Sequence, residues 1–358
     1  MTSEPIFIIG TERSGSNLLR LILNTHSHIF IPHPPHILHY FSPLEASYGD
    51  LAKDSHMHRL ITDVLRLIRV HIYPWDVEID PSVILQQARS RSLFGIFAAL
   101  YDQALAASGK RRWGCKSLYM IHYTQPVLAH FPQAKLIWLY RDPRDVAVSA
   151  RTSVFGHFHP YFTACLWRRE QQIGLDLAAR LSPAAIMPMR YEELIAQPVE
   201  TVMKLCQFLD EPFESGMLDF FKTSEAHKSS ELSESWGNTS RPIITDNAGK
   251  YRQQLSKAEL QAVEIAAGPV MQQLGYVLDS CTPITGTLPL RRKALFYALD
   301  RYWQLGVEWR SLQHDRNHWR RWGRAAFMSY LCTGRLVRHK SLSQIDHLDI
   351  YKSPGWTS

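Results

Sequence analysis

The stretch PIFIIGTERSGSNLLRLILN, residues 5–24, decides the fold. Ile6 to Ile9 is a short apolar run with β-branched isoleucines, closed by Gly10, which predicts a buried strand. Leu18, Leu19, Leu21, Ile22 and Leu23 follow as an apolar helical run. Strand, glycine-bounded loop and helix in this order open a nucleotide-type α/β domain. Gly10 and Gly15 have the spacing of a Walker A loop, yet Ser16-Asn17 stands where Lys-Ser/Thr is required. Backbone amides and the helix N-terminus can still cradle an anion, with Arg13 offering a planar donor fork. A tight strand–helix turn without a ligand is the competing reading. The missing lysine argues against a nucleoside triphosphate.

Working outward, Lys135 to Tyr140 reads as a second buried strand, left through Arg141-Asp-Pro-Arg-Asp145. Asp145 is expected to cap the helix that starts at Val146, with Ser149 in its first turns. Arg141 and Ser149 can then address one anion at the carboxyl edge of the sheet. Taken alone, the charged loop could simply pair with itself. Ala185 to Arg190 is a third strand, with Pro188 expected at a strand end. Helices are expected from Tyr191 and over Pro198 to Phe208. Residues 40–112 read as a largely helical cap, and 224–250, rich in Ser, Glu, Asn and Thr, as a long loop.

The chain has 358 residues with 40 Lys+Arg against 33 Asp+Glu, a formal net charge of +7. Residues 279–358 hold 13 basic and 6 acidic residues, so the whole excess lies there and residues 1–278 are neutral overall. A 45% hydrophobic and 20% charged composition excludes wholesale disorder. Five scattered cysteines without a CxxC pair argue against a disulfide scaffold or zinc ribbon, and for a reducing, cytoplasmic setting. No secretory signal and no membrane-spanning run are read.

Together these pieces resemble the sulfotransferases that use 3′-phosphoadenosine 5′-phosphosulfate (PAPS), in the branch with an Arg-Ser-Gly-Thr-Thr-type loop that includes tyrosylprotein and many bacterial enzymes. The loop is Gly10 to Leu19 and the 3′-phosphate signature is Leu136 to Ser149. Trp113-Gly-Cys-Lys-Ser117, Met189 to Leu194 and Gly249 to Arg252 also look like family segments, and the resemblance spans about residues 5–278. It implies a P-loop-like three-layer α/β domain over residues 1–278, with a central parallel sheet and the 40–112 cap; residues 279–358, outside the resemblance, read by their own pattern as a helical extension. It further implies that Arg13, Ser14, Gly15, Ser16 and Asn17 hold the 5′-phosphosulfate and that Arg141 and Ser149 hold the 3′-phosphate. Tyr191 would lie near the adenine, and Lys250, Tyr251 or Arg252 would close over the nucleotide. Lys116 and Arg13 would stabilise developing charge during in-line sulfuryl transfer, giving the product PAP, with no metal expected. The rival readings are a P-loop-like kinase and a catalytically silent nucleotide-binding protein.

A hydroxyl acceptor needs a base. Tyrosylprotein relatives place a glutamate after the first helix, where this chain has Ile31-Pro-His-Pro-Pro-His-Ile37. His33 and His36 are the candidates, His36 preferred because it follows two prolines and opens an apolar helix; helix capping or plain packing is the alternative. Zinc on His33, His36 and His39 is disfavoured, since that spacing does not gather three ligands on one helix face. Residues 290–338 mix Trp303, Trp309, Trp319 and Trp322 with arginines, and Leu295, Leu299, Tyr302 and Gly306 near one face. This tail could pack on the core, join a homodimer, or rest peripherally on an anionic membrane. Nucleic acid is not expected, because no binding motif accompanies the charge. The acceptor, whether small molecule, carbohydrate, lipid or peptide, is not legible.

Overall fold

Four parallel-sheet residues carry the first strand: β1, Ile6–Ile9, is buried along its whole length, as a strand covered on both faces must be. The computed structural model describes residues 4–151, 153, 156–232, 234–279, 288–315 and 317–336. The other strands are β2 (Ile29–Phe30), β3 (Arg112–Lys116), β4 (Lys135–Tyr140) and β5 (Ile186–Arg190). They form one five-stranded sheet in the order β2-β3-β1-β4-β5, with β2 parallel to β3 and β4 parallel to β5. The α/β class with a central parallel sheet agrees with the sequence reading.

The described residues divide into two compact units, one of residues 4–6, 27–134 and 317–336, the other of 7–26 and 135–315. In the first unit, the helix Leu93–Ser108 is apolar nearly all round and accordingly buried. Its Tyr101 ring packs 4.8 Å from Trp113 of β3. The helix Asp54–Val70 buries Met57, Leu60, Ile61, Val64 and Leu67 on one face. The helix His318–Leu336 packs on it, with Arg66 4.7 Å from the centre of the Phe327 ring.

In the second unit, the helices Pro143–Ala150, Pro160–Arg180 and Lys257–Gln273 share a core of Val146, Ala164, Trp167, Val263, Ala267 and Met271. Gly174 lets the middle helix lie directly on Trp138 of β4, because a Cβ there would collide with the indole. Three local expectations are corrected. Pro188 lies within β5 rather than at its end; β5 is the edge strand, where a missing N–H is tolerated. The cap of the helix Pro143–Ala150 is Asp142, whose carboxylate accepts from Arg144 N, with Pro143 at the first helical position. Residues 224–250 are not one loop, since Ser224–Leu232 is an α-helix and Glu234–Ser240 a 3₁₀ helix. The polar helix is held by tertiary contacts: Arg20 donates to Glu225 Oε1 at 2.7 Å and to Ser229 Oγ at 3.0 Å.

Candidate functional site

The loop between β1 and the helix Ser16–Thr25 is built from three left-handed or positive-φ residues, Gly10 (φ 143°), Arg13 (66°) and Gly15 (89°). Two of them cannot be anything but glycine. A Cβ on Gly10 would strike the Leu139 carbonyl, and one on Gly15 would strike the Tyr191 ring. Gly15 caps the helix without a side-chain bond, so the amides of the first turn face outward from the helix end. Behind the loop, Trp138 Nε1 donates to Gln171 Oε1 (2.8 Å) and Gln171 Nε2 donates to Thr11 Oγ1 (2.7 Å), a buried chain that fixes its back.

The signature after β4 meets this loop within the same unit. Arg141 is buried; its guanidinium donates to the carbonyls of Arg13 (3.3 Å) and Asn247 (2.9 Å) and lies 4.5 Å from the centre of the Tyr191 ring. Arg13 Nε donates to Ser149 Oγ at 3.0 Å. Ser149 stands in the last turn of its helix rather than the first, because that helix begins at Pro143. Burial and the neighbouring Arg141 both weaken the hold of Arg13 on its proton, opposed by Glu12. Two guanidiniums are thus drawn together, while Ser14 Oγ, Asn17 Nδ2 and Arg141 Nε are buried without a hydrogen-bond partner among the described residues. Unmatched buried donors are costly, and anionic oxygens would satisfy them. The residues present therefore fit a phosphate- and sulfate-bearing nucleotide.

Asn17 shows how the orientation is set. Arg20, fully buried, donates from Nε to Asn17 Oδ1 at 2.9 Å, which leaves the amide nitrogen as the outward group. Asn247 was not legible in the sequence; its amide donates to Tyr191 Oη at 2.7 Å. Asp145, not needed as a cap, accepts from the amides of Gly249 (2.6 Å) and Tyr251 (3.0 Å) and so anchors the Gly249–Arg252 segment. Within that segment Lys250 is exposed. Tyr251 is buried under Arg144 (4.1 Å), with its hydroxyl on Asp279 (2.7 Å), and Arg252 is exposed beside it. The hydroxyl of Tyr251 is therefore committed to Asp279. Glu12 is a second residue the sequence did not flag. It is buried, one carboxylate oxygen has no partner among the described residues, and burial followed by the charge of Glu170 pushes it up to about 8.

The other unit holds the remaining candidates. Lys116 is buried at the end of β3, followed by Ser117. Ser117 Oγ and His36 Nδ1 are 2.8 Å apart. His36 is in the left-handed region (φ 57°) at the start of the helix Ile37–Phe41 but makes no side-chain cap bond, so its ring is committed to Ser117 instead. His33 is buried, stacked at 5.0 Å on Tyr73 and 5.3 Å from His71, and its carbonyl accepts from Trp75 Nε1. His71, absent from the sequence reading, also lies 6.2 Å from His36. Burial, then His71, Lys116 and Arg324, hold His36 well below the usual imidazole range; His71 is pushed down to about 3. His36 and His71 are therefore neutral near pH 7, and half-buried His36 is the one bonded to a hydroxyl. His39 belongs to a different contact, stacked 3.6 Å from Tyr119.

A family profile described as "Sulfotransferase family" matches residues 5–215, and one described as "Sulfotransferase domain" matches residues 166–275. The chain is 25% identical over 240 residues to an uncharacterized protein of Aquifex aeolicus (strain VF5), covering 64% of this chain and 28% of that protein. It is 21% identical over 291 residues to protein-tyrosine sulfotransferase A of Caenorhabditis elegans, covering 80% and 70%. A solved sulfotransferase domain from the Synechococcus PCC 7002 olefin synthase shares the fold, with a TM-score of 0.53, 23% identity, and coverage of 76% of this chain and 95% of that domain.

Proposed function

The chain belongs to the sulfotransferase family, and from that premise we propose that it moves a sulfuryl group from PAPS to a hydroxyl or amine of an acceptor, releasing PAP. The observation that carries this reading is the convergence of Arg13, Arg141 and three unmatched buried donors on one loop. PAPS, when bound, supplies the activated sulfuryl group. Ser14, Asn17 and the first-turn amides of the helix Ser16–Thr25 would hold its 5′ end, and Arg141, with Arg13 and Ser149 beside it, the 3′-phosphate. Tyr191, held between Gly15 and Arg141, offers the aromatic face for the base. In the other unit, Lys116 is assigned the stabilisation of developing negative charge. His36 is assigned the acceptance of the acceptor's hydroxyl proton, oriented by Ser117. The neutral state of His36 supports that role, since an imidazolium could not take the proton.

Among the described residues Cys115, Cys165 and Cys206 are free thiols, which supports a reducing, cytoplasmic setting. Among the described residues no helix is long and apolar enough to cross a membrane. The test is a calorimetric titration with PAP and with ATP. PAP is expected to bind in the micromolar range or tighter and ATP markedly more weakly; tight ATP binding without PAP binding would sink the reading. Incubation with labelled PAPS and cell extract then identifies the acceptor.

A further inference from the structure

The helix Leu290–His314 is apolar on two opposite faces, and among the described residues only one of them is packed. The inner face carries Phe296, Asp300, Trp303 and Val307. Phe296 stacks 4.1 Å and Trp303 5.6 Å from His159, and Asp300 accepts from the amides of Phe158 and His159, both at 2.7 Å. The outer face lies two residues further on, about 200° around the helix. It exposes Leu295 (57%), Tyr302 (71%), Leu305 (66%), Trp309 (65%) and Leu312 (50%), with exposed Ala298 completing the row. Positions 295, 298, 302, 305, 309 and 312 alternate steps of three and four, the seam of a coiled coil rather than the broad stripe of a membrane-surface helix.

We propose that this seam pairs with the same helix of a second copy, antiparallel about a two-fold axis, making the protein a homodimer. One register satisfies every position. Leu295 faces Leu312 of the second copy, Ala298 faces Trp309, and Tyr302 faces Leu305, each layer repeated by symmetry. The largest side chain meets the smallest, and exposed Gly306 next to the seam leaves the indole room. In the same register the flanking Arg301 comes beside Glu308 of the second copy, twice by symmetry. Within one copy both charges bond along their own helix, Arg301 to Gln304 (2.5 Å) and Gln304 to Glu308 (3.3 Å), so both are held at the edge of the seam. Ten large apolar side chains at about 100 Å² each would bury about 1,000 Å², at the lower edge of specific interfaces.

Sedimentation equilibrium of the full chain tests this without reference to activity. The wild type is expected to dimerise. Arg301→Glu and Glu308→Arg each turn two attractive pairs into two repulsive ones and should weaken the dimer about tenfold. Mixing the two single variants, or combining both changes in one chain, restores opposite charges and should restore the dimer. Trp309→Ser, at an exposed position where folding is not at stake, should weaken it about a hundredfold. A wild type that stays monomeric at every concentration overturns the proposal, and so does failure of the charge swap to restore association. Binding of a monomer to phosphatidylserine vesicles through this face would overturn it in favour of a membrane role.

Discussion

Glu12→Gln isolates an electrostatic cost built into the nucleotide loop. Glu12 is buried beside Glu170, and its folded-state carboxyl is pushed up to about 8 from 4.5 by burial first and Glu170 second. Below pH 4.5 both folded and unfolded chains keep this proton, so the residue is neutral to stability. From there up to about pH 8 the unfolded chain releases the proton and the folded chain keeps it, so stability falls by about 1.4 kcal/mol per pH unit. The loss reaches about 3 kcal/mol at pH 7 and about 5 kcal/mol above pH 8, where it levels off. Glutamine keeps the shape and does not titrate. Urea unfolding at about pH 5, 7 and 8.5 should therefore give a variant that matches the wild type in acid and exceeds it by several kcal/mol in base. Anion binding should follow the same sense, because a deprotonated Glu12 beside the loop repels the ligand: PAP affinity of the wild type falls as pH rises toward 8 and that of the variant does not. Parallel stability profiles for the two proteins, or a variant weaker at pH 8.5, would refute the reasoning.

Three other outcomes are expected. Arg141→Ala removes a charge-assisted contact of about 1.5–3 kcal/mol, so PAP should bind about 10- to 150-fold more weakly, while 5′-AMP, which lacks the 3′-phosphate, changes less than about threefold in the same calorimeter. Lys116→Ala should lower kcat by about a hundredfold or more and move the PAP dissociation constant by less than about threefold; the opposite split in steady-state kinetics and binding would exchange the roles of Lys116 and Arg141. If His36 is the base, the acid limb of kcat/KM lies well below pH 6.5, since burial disfavours its protonation, and His36→Ala abolishes that limb; a limb at or above pH 6.5 in the wild type rules the assignment out.

What was legible in the sequence follows the range of the interactions involved. The strand, loop and helix of residues 6–25 are specified by neighbours in the chain: β-branched residues, two glycines and a leucine repeat. Arg141 and Ser149 were legible for the same reason, though the cap was assigned to Asp145 when Asp142-Pro143 is the stronger start signal. The helix Ser224–Leu232 was hidden because its own composition is polar; Arg20, more than 200 positions away, supplies its reason to exist. His71 and Asn247 carry no local signal. Each enters its cluster through tertiary contact, His71 beside His33 and Asn247 between Arg141 and Tyr191. Glu12 stood in plain view within the loop, yet only burial beside Glu170 gives it a distinctive chemistry.

The loop also explains how a Walker-like spacing can serve without the Walker lysine. A lysine there would bring a mobile charge to the end that carries the transferred group. In its place the chain puts Ser16, followed by Asn17, a neutral donor whose orientation is enforced from behind by Arg20. The one cation of the loop, Arg13, is turned away toward Ser149 and shares its surroundings with Arg141. Within the loop, positive charge is therefore concentrated at the end assigned to the 3′-phosphate, and the opposite end is left to amides and a hydroxyl, with the proposed Lys116 as its cation. Such a division favours a nucleotide with phosphate groups at two positions over one with a single triphosphate chain, whose γ-phosphate would meet no lysine. A neutral net charge over residues 1–278 is compatible with the proposed binding of a polyanion there. In that proposal a few buried, oriented donors decide recognition, and the net positive charge of residues 279–358 plays no part in it.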